Sequence, residues 1–346
     1  MKYRVLIMFI LLFLLASCGP APAEPPTSAP AVEPEPMEPS APAPTATIPL
    51  TQVVVDELVA EPAPSIRLDG RAGFRDNLAT ADQFILDLTG VPELLDGQAY
   101  QGWLLGDDGT TVSVGVLKPE SDGSVTLVWN SPTSENLLSR YARFQATIEP
   151  AAGSASPTGQ VVFAGGLDGD ALVSARWLFV RNEGEPATPL NTAFALGLVA
   201  QTDIALQHVQ NAVNAAAIGA LAEMRAHLEH AVNILDGAVG SRFSDHNGDG
   251  TAENPGDGFG VVGYAGRIAE LLDGQETVAE AVMGVQAQSA IIQDKCLEIL
   301  RIEDMAAATA QLEELEGLAE QLEANSVAGL YRAAQNAVSF QVTLVE

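Results

Sequence analysis

The spacing of apolar residues changes once along the chain, near residue 185, and that change limits the fold more than any other feature. From about Ile66 to Asn182 the apolar residues come in short β-branched or aromatic runs: QFILDLTG, QAYQGWLLG, TTVSVGVLK, SVTLVWN, RFQATIEP, GQVVFAGG and ALVSARWLFV. Turn signals such as GDDG, ESDG and LDGD lie between them. Runs of this length and spacing predict the strands of an antiparallel sandwich or barrel. From about Pro189 onward apolar residues recur three and four apart among strong helix formers, which predicts four or five amphipathic helices joined by short links. Gly237, Gly274 and Asp304 sit where helices should begin or end. The expected fold class is therefore β then α: an antiparallel β-sandwich over 66–185 followed by an α-helical bundle over 190–346. Trp103, Trp129 and Trp177 all fall on expected strands, where aromatic core positions suit them better than a ligand surface.

Ahead of these regions the chain has a different chemistry. Lys2 and Arg4 precede the apolar run VLIMFILLFLL, which is too short to span a bilayer and leads into small residues, the pattern of an export signal. The sequence LASCG, Leu15 to Gly19, resembles the lipobox of bacterial lipoproteins. That resemblance implies a signal peptide over 1–17, cleavage before Cys18 and lipidation of that cysteine, with acyl chains enough for a stable anchor. Residues 18–65 are dominated by proline, alanine, glutamate and serine without apolar period, and so are expected to form a disordered, extended tether. The expected localisation is the extracytoplasmic face of the cell envelope, held to the membrane through the N-terminal lipid. With 16 basic against 45 acidic residues and a formal net charge of −29, the surface repels nucleic acid and favours cations.

A second resemblance covers residues of about 67–182. LDLTGVPELLDGQAYQGWLLGDDGTTVSVGVL, followed by ATIEPAAGSASPTGQVVFAGGL, is similar to the extracytoplasmic C-terminal domain of anti-sigma-K factors. The residues that carry it are Thr89, Gly90, Val91 and Pro92, then Tyr100 and Trp103, then Glu149 and Pro150, Gly153 and Ser154, and Pro157, Thr158 and Gly159. Val91 stands where leucine is usual in that family, and Ala152 replaces a first glycine. The resemblance implies a β-sandwich and a sensory or interaction role, with no catalytic activity. Sigma-factor control needs a cytoplasmic sigma-binding domain and a membrane helix, so it is not expected of an exported chain.

Two constellations invite metal chemistry. In SDHNGDGTAENPGDGFG, Asp245, Asn247 and Asp249 alternate and Gly250 takes the sixth place, the first half of an EF-hand loop. Alternating carboxylate and amide oxygens converge on one hard cation while glycine lets the backbone turn beneath it. The carbonyl of Thr251 and the side chain of Glu253 would follow as ligands. The twelfth position is Gly256 instead of a bidentate glutamate, leaving Asp257 to close a weak calcium site over 245–257. A polar turn built from the same residues is the competing reading. The histidines form the other constellation. Glu223, His227 and His230 share one helix face by i, i+3 and i+4 spacing, and a helical hairpin can bring His208 opposite them. Such a set can hold a transition metal or haem, although solvated or core-satisfied histidines explain the spacing equally.

Cys296 is the one thiol left once Cys18 is lipidated, and its apolar helical setting predicts a buried, inert group. No G-x-S-x-G, H-E-x-x-H, P-loop or dinucleotide fingerprint occurs in the chain. AGGLDGD reads as a glycine-rich hairpin turn. The expectation is a non-enzymatic, lipid-anchored binding module with a protein or small-molecule partner and a calcium-stabilised helical part. The alternative is a transition-metal or haem protein built on the histidines.

Overall fold

Alternation of inward and outward side chains sets the sheet. In the computed structural model, which describes residues 68–345, β1 (Asp69–Arg75) and β2 (Gln83–Thr89) form the first hairpin. Along β2 every second residue, Phe84, Leu86 and Leu88, is fully buried while Asp87 and Thr89 face out. β3 (Gln98–Gly106), β4 (Thr111–Leu117), β5 (Val125–Asn130), β6 (Tyr141–Pro150) and β7 (Val161–Gly166) follow, as the sequence predicts. Phe84 stacks on Phe144 at 5.4 Å and Tyr100 meets Phe163 at 5.1 Å, so the inward faces of both halves share one aromatic-rich core.

Two segments differ from expectation. ALVSARWLFV is not a strand: α1 (Gly169–Phe179) occupies it, with Asp168 before its first turn. The run is rich in helix formers, and Ala175, Leu178 and Phe179 turn to the core at i, i+3 and i+4. Trp177 therefore lies on a helix, and AGGLDGD joins a strand to a helix instead of closing a hairpin. The second difference is at the C-terminus, where FQVTL forms β8 (Phe340–Leu344) inside the stretch read as bundle. β8 pairs antiparallel with β7 on one side and β1 on the other. The strand order is β4-β3-β6-β7-β8-β1-β2-β5, one antiparallel sheet of eight strands. Its edge strands β4 and β5 approach each other, which curls the sheet nearly into a barrel.

The helices occupy the chain between β7 and β8. α2 (Phe194–Ala217) and α3 (Leu221–Asp236) form an antiparallel hairpin about the turn at Gly219, and α4 (Val261–Leu271) packs on both. α5 (Glu276–Leu300) lies against α3, α4, α6 (Met305–Gln321) and α7 (Ala328–Ala337), the last two joined by a wide π-type turn over Leu322–Val327. Gly237 caps α3 at positive φ, Gly274 turns between α4 and α5, and the Asp304 carboxylate accepts from Ala307 N–H at the start of α6.

α7 is tied to the sheet by polar contacts that packing alone does not supply. The Asp76 carboxylate accepts from Tyr331 O–H at 2.7 Å and from Gln335 Nε2 at 2.9 Å. Arg71 and Arg75 of β1 donate to Ser339, Asn336 and Gln335. The export signal, Cys18 and the tether lie outside the described residues. Among the described residues no helix is long and apolar enough to cross a membrane.

Candidate metal centre and motif-walled groove

The α2–α3 hairpin sets the histidines. His208 lies in the second half of α2, and His227 and His230 lie three residues apart on α3, so the antiparallel pairing brings all three rings to one spot. His208 Nδ1 is 3.0 Å from His227 Nδ1 and 3.3 Å from His230 Nδ1. Among the described residues this trio is the one group of three or more His, Cys, Asp or Glu with ligand atoms all within 4.8 Å of one another. Burial, then the proximity of His230 and His227, lowers the His208 pKa from 6.5 to about 4. His227 is lowered by burial and by His230, with the Glu223 carboxylate pulling the other way. Around neutral pH these two rings are therefore neutral, the form that binds metal.

Glu223 itself stays exposed, one turn from His227 and outside the trio. The carboxylate that touches the cluster is Glu253, whose Oε2 lies 2.9 Å from His230 Nε2. Glu253 sits 23 residues beyond His230 on an irregular loop, so helical spacing gives no hint of the pair.

That loop is the EF-hand-like segment, and α3 anchors it. Glu229 is fully buried and accepts from the N–H groups of His246, Asn247 and Glu253 at 2.7–3.0 Å. Asn233, equally buried, donates to the carbonyls of Ser244 and Glu253 and accepts from Ser244 N–H. Within the loop the Asp245 carboxylate accepts from Gly248 and Gly250 N–H, Asn247 from Asp249 N–H, and Asp249 from Thr251 N–H. Gly248 and Gly250 hold positive φ, as the sharp turns of the loop require. Asp257 serves α4, accepting Phe259 N–H with one oxygen and Tyr264 O–H at 2.6 Å with the other. Asp245, Asn247 and Asp249 thus bond within the loop, while Glu253 reaches His230 and Asp257 reaches α4. Cys296 is fully buried, and burial pushes its thiol up to about 12.

The motif residues of the sheet make a latch. Glu149, 2% exposed, accepts from the hydroxyls of Thr147, Ser154 and Thr158 and from the N–H groups of Thr158 and Gly159, all at 2.7–2.9 Å. Trp103 Nε1 donates to Thr147 Oγ1, and Gln101 bonds the Ser154 backbone in both directions. A Cβ on Gly159 would run into the Ile148 carbonyl, so only glycine fits there. Burial would raise the Glu149 pKa, but the bonds from Thr147, Gly159, Ser154 and Thr158 hold it well below the usual carboxylate range. The other motif segment, Gly90 to Pro92, is pinned by Val91 N–H to the Gly123 carbonyl and by Tyr100 O–H to the Pro92 carbonyl. It walls an open groove of about 790 Å³ facing the turn at Pro119–Gly123. Leu95, 77% exposed, stands in that groove.

Among curated proteins and solved structures nothing matches the chain. Residues 6–161, somewhat less than half of the sequence, match the family model described as "Anti-sigma-K factor rskA, C-terminal", a span that ends on the first residue of β7, takes in both motif segments and stops short of α1.

Proposed function

We propose that the chain is a regulatory, non-catalytic interaction protein, anchored outside the cytoplasm through lipid on Cys18 and presenting the groove beside Gly90–Pro92 to a partner. The observation that carries this reading is the match of β1–β6 to the C-terminal domain of anti-sigma-K factors, coupled to the use made of its motif residues. Those residues lock turns and wall a groove; none of them forms a nucleophile–base pair. A large exposed leucine in a concave, mixed-polarity groove suits a protein or peptide partner better than a solvated surface. In this reading the loop at 245–257 takes calcium as a structural ion, with the weak affinity of extracellular sites, on the order of 10⁻⁴ to 10⁻³ M.

The test is site-specific photo-crosslinking in intact cells. A crosslinker at Leu95 should give one discrete adduct, and the same probe at Ile218, exposed on the helical part, should give none. Cys18→Ser should release the protein from the membrane fraction and weaken that adduct. A diffuse or identical pattern from both positions would remove the groove from consideration.

A further inference from the structure

We propose that His208, His227 and His230 form a three-imidazole centre for one divalent transition-metal ion, with zinc as the type case, leaving a fourth position open to water or an external ligand. The proposal is independent of the interaction reading and rests on the helical hairpin and the Glu253 loop packed on it.

Distance is the first argument. A tetrahedral ion with metal–nitrogen bonds of 2.0–2.1 Å spaces its ligand nitrogens about 3.3 Å apart. The separations of 3.0 and 3.3 Å from His208 Nδ1 to its two neighbours match two edges of that triangle, and the ligand atoms of all three rings lie within 4.8 Å of one another, so an ion closes the third edge by drawing His227 and His230 together. The convergence of three ring nitrogens on a point also selects a small ion over haem, whose macrocycle would have to enter between rings already in contact.

Tautomer is the second argument. His230 Nε2 lies 2.9 Å from the Glu253 carboxylate, which accepts only, so Nε2 carries the proton and the Nδ1 lone pair faces His208. A carboxylate holding the far nitrogen of a ring is the usual outer partner of a metal-ligating histidine. Glu253 is in turn held by its own backbone, its N–H on buried Glu229 and its carbonyl on Asn233. The orienting carboxylate is thus positioned by two fully buried side chains of the same helix that supplies two of the ligands.

Charge is the third. The chain's formal net charge of −29, with the Glu223 carboxylate one turn from His227 and Glu253 on His230, draws cations toward the site. Imidazole donors suit zinc, copper and nickel, and exclude calcium and magnesium, which take oxygen. The centre is therefore chemically separate from the loop at Asp245, although Glu253 stands between the two.

The test is titration of the full-length protein in detergent with Co(II), then Zn(II). One Co(II) per chain with the intense visible absorption of a four-coordinate ion, displaced by one equivalent of Zn(II), is the expected result. The double variant His227→Gln, His230→Gln should lose binding by at least about 100-fold, and Glu253→Gln should weaken it about 10- to 100-fold while the three ligands remain. Nitrogen-detected correlation of the imidazoles in the wild-type Zn(II) form supplies the second readout, which needs no variant to fold. With four histidines in the chain, three metallated Nδ1 signals and an unchanged His246 are expected. Substoichiometric binding, binding indifferent to the histidine substitutions, or Nδ1 signals that do not move with Zn(II) would each overturn the proposal.

Discussion

At the scale of single residues, Glu149 is the clearest case of a side chain whose type the sequence displays and whose role only the fold explains. It receives five hydrogen bonds from one turn and one strand while 2% exposed. Removing one partner of a buried network leaves the others unsatisfied, so Glu149→Ala should cost roughly 3 kcal/mol or more in denaturant unfolding. Its pKa is depressed by folding from the ordinary value of 4.5, so its contribution is fully present above that pH. It is lost as pH falls below 4.5 toward the lower folded value, and Glu149→Ala should flatten the stability profile of the protein in that acid range. An acid slope equal to that of the wild type would place the acid sensitivity elsewhere. The histidine cluster shows the complementary limit of sequence reading. Helical spacing was enough to put His227 and His230 together and to suggest His208, because a 3.6-residue period is local information. It also put forward Glu223, and passed over Glu253 as a partner of His230, because that contact is made by an irregular loop returning to a helix 23 residues earlier.

At the scale of elements, β2 to β7 and most helices were legible because their runs are periodic and bounded by turn residues, whereas β1, DGRAGFR, carries two glycines and one large apolar residue and shows no strand pattern of its own. Two further elements were not legible. ALVSARWLFV has too few residues to separate a buried strand from a buried helix by pattern, and its alanines and leucines decide for helix once Ala175, Leu178 and Phe179 find the core. FQVTL is β-branched, yet it follows a helical stretch with no glycine or proline between, so its pairing with β7 and β1 is a long-range fact. The loop at 245–257 is an element whose local hydrogen bonds are complete without help, through Glu229 and Asn233. Calcium can then only add stability by mass action, rising with the logarithm of its concentration over the dissociation constant. At a calcium concentration 100 times the dissociation constant, the gain is about 2.7 kcal/mol, visible as a rise of a few degrees in melting temperature. Asp245→Ala with Asp249→Ala should abolish that rise while lowering the calcium-free melting temperature only modestly, since both residues bond only to exposed loop amides. An equal calcium response in the variant would reduce the loop to a polar turn.

At the scale of the whole molecule, the sequence divides into sheet and helices, but the contacts do not. The last strand of the sheet lies beyond the last helix, so the helical excursion leaves from β7 and returns as the neighbour of β7. Asp76, Arg71 and Arg75 fasten α7 to β1, and Phe179 of α1 packs edge-on against Tyr331 of α7 at 5.4 Å. The described residues, 68–345, accordingly form one compact unit. Two halves that share a strand and a buried seam cannot melt separately without unpairing β8 from both of its partners, so calorimetry should record a single unfolding transition. Deleting residues 340–346 removes the strand that bridges β7 and β1 and opens two edges in the middle of the sheet. Loss of the cooperative transition, with the helical circular dichroism signal persisting at reduced stability, is the expected outcome. Two resolved transitions in the intact protein would instead restore a sheet and a bundle that fold independently, and the latch through α7 and β8 would be an incidental contact.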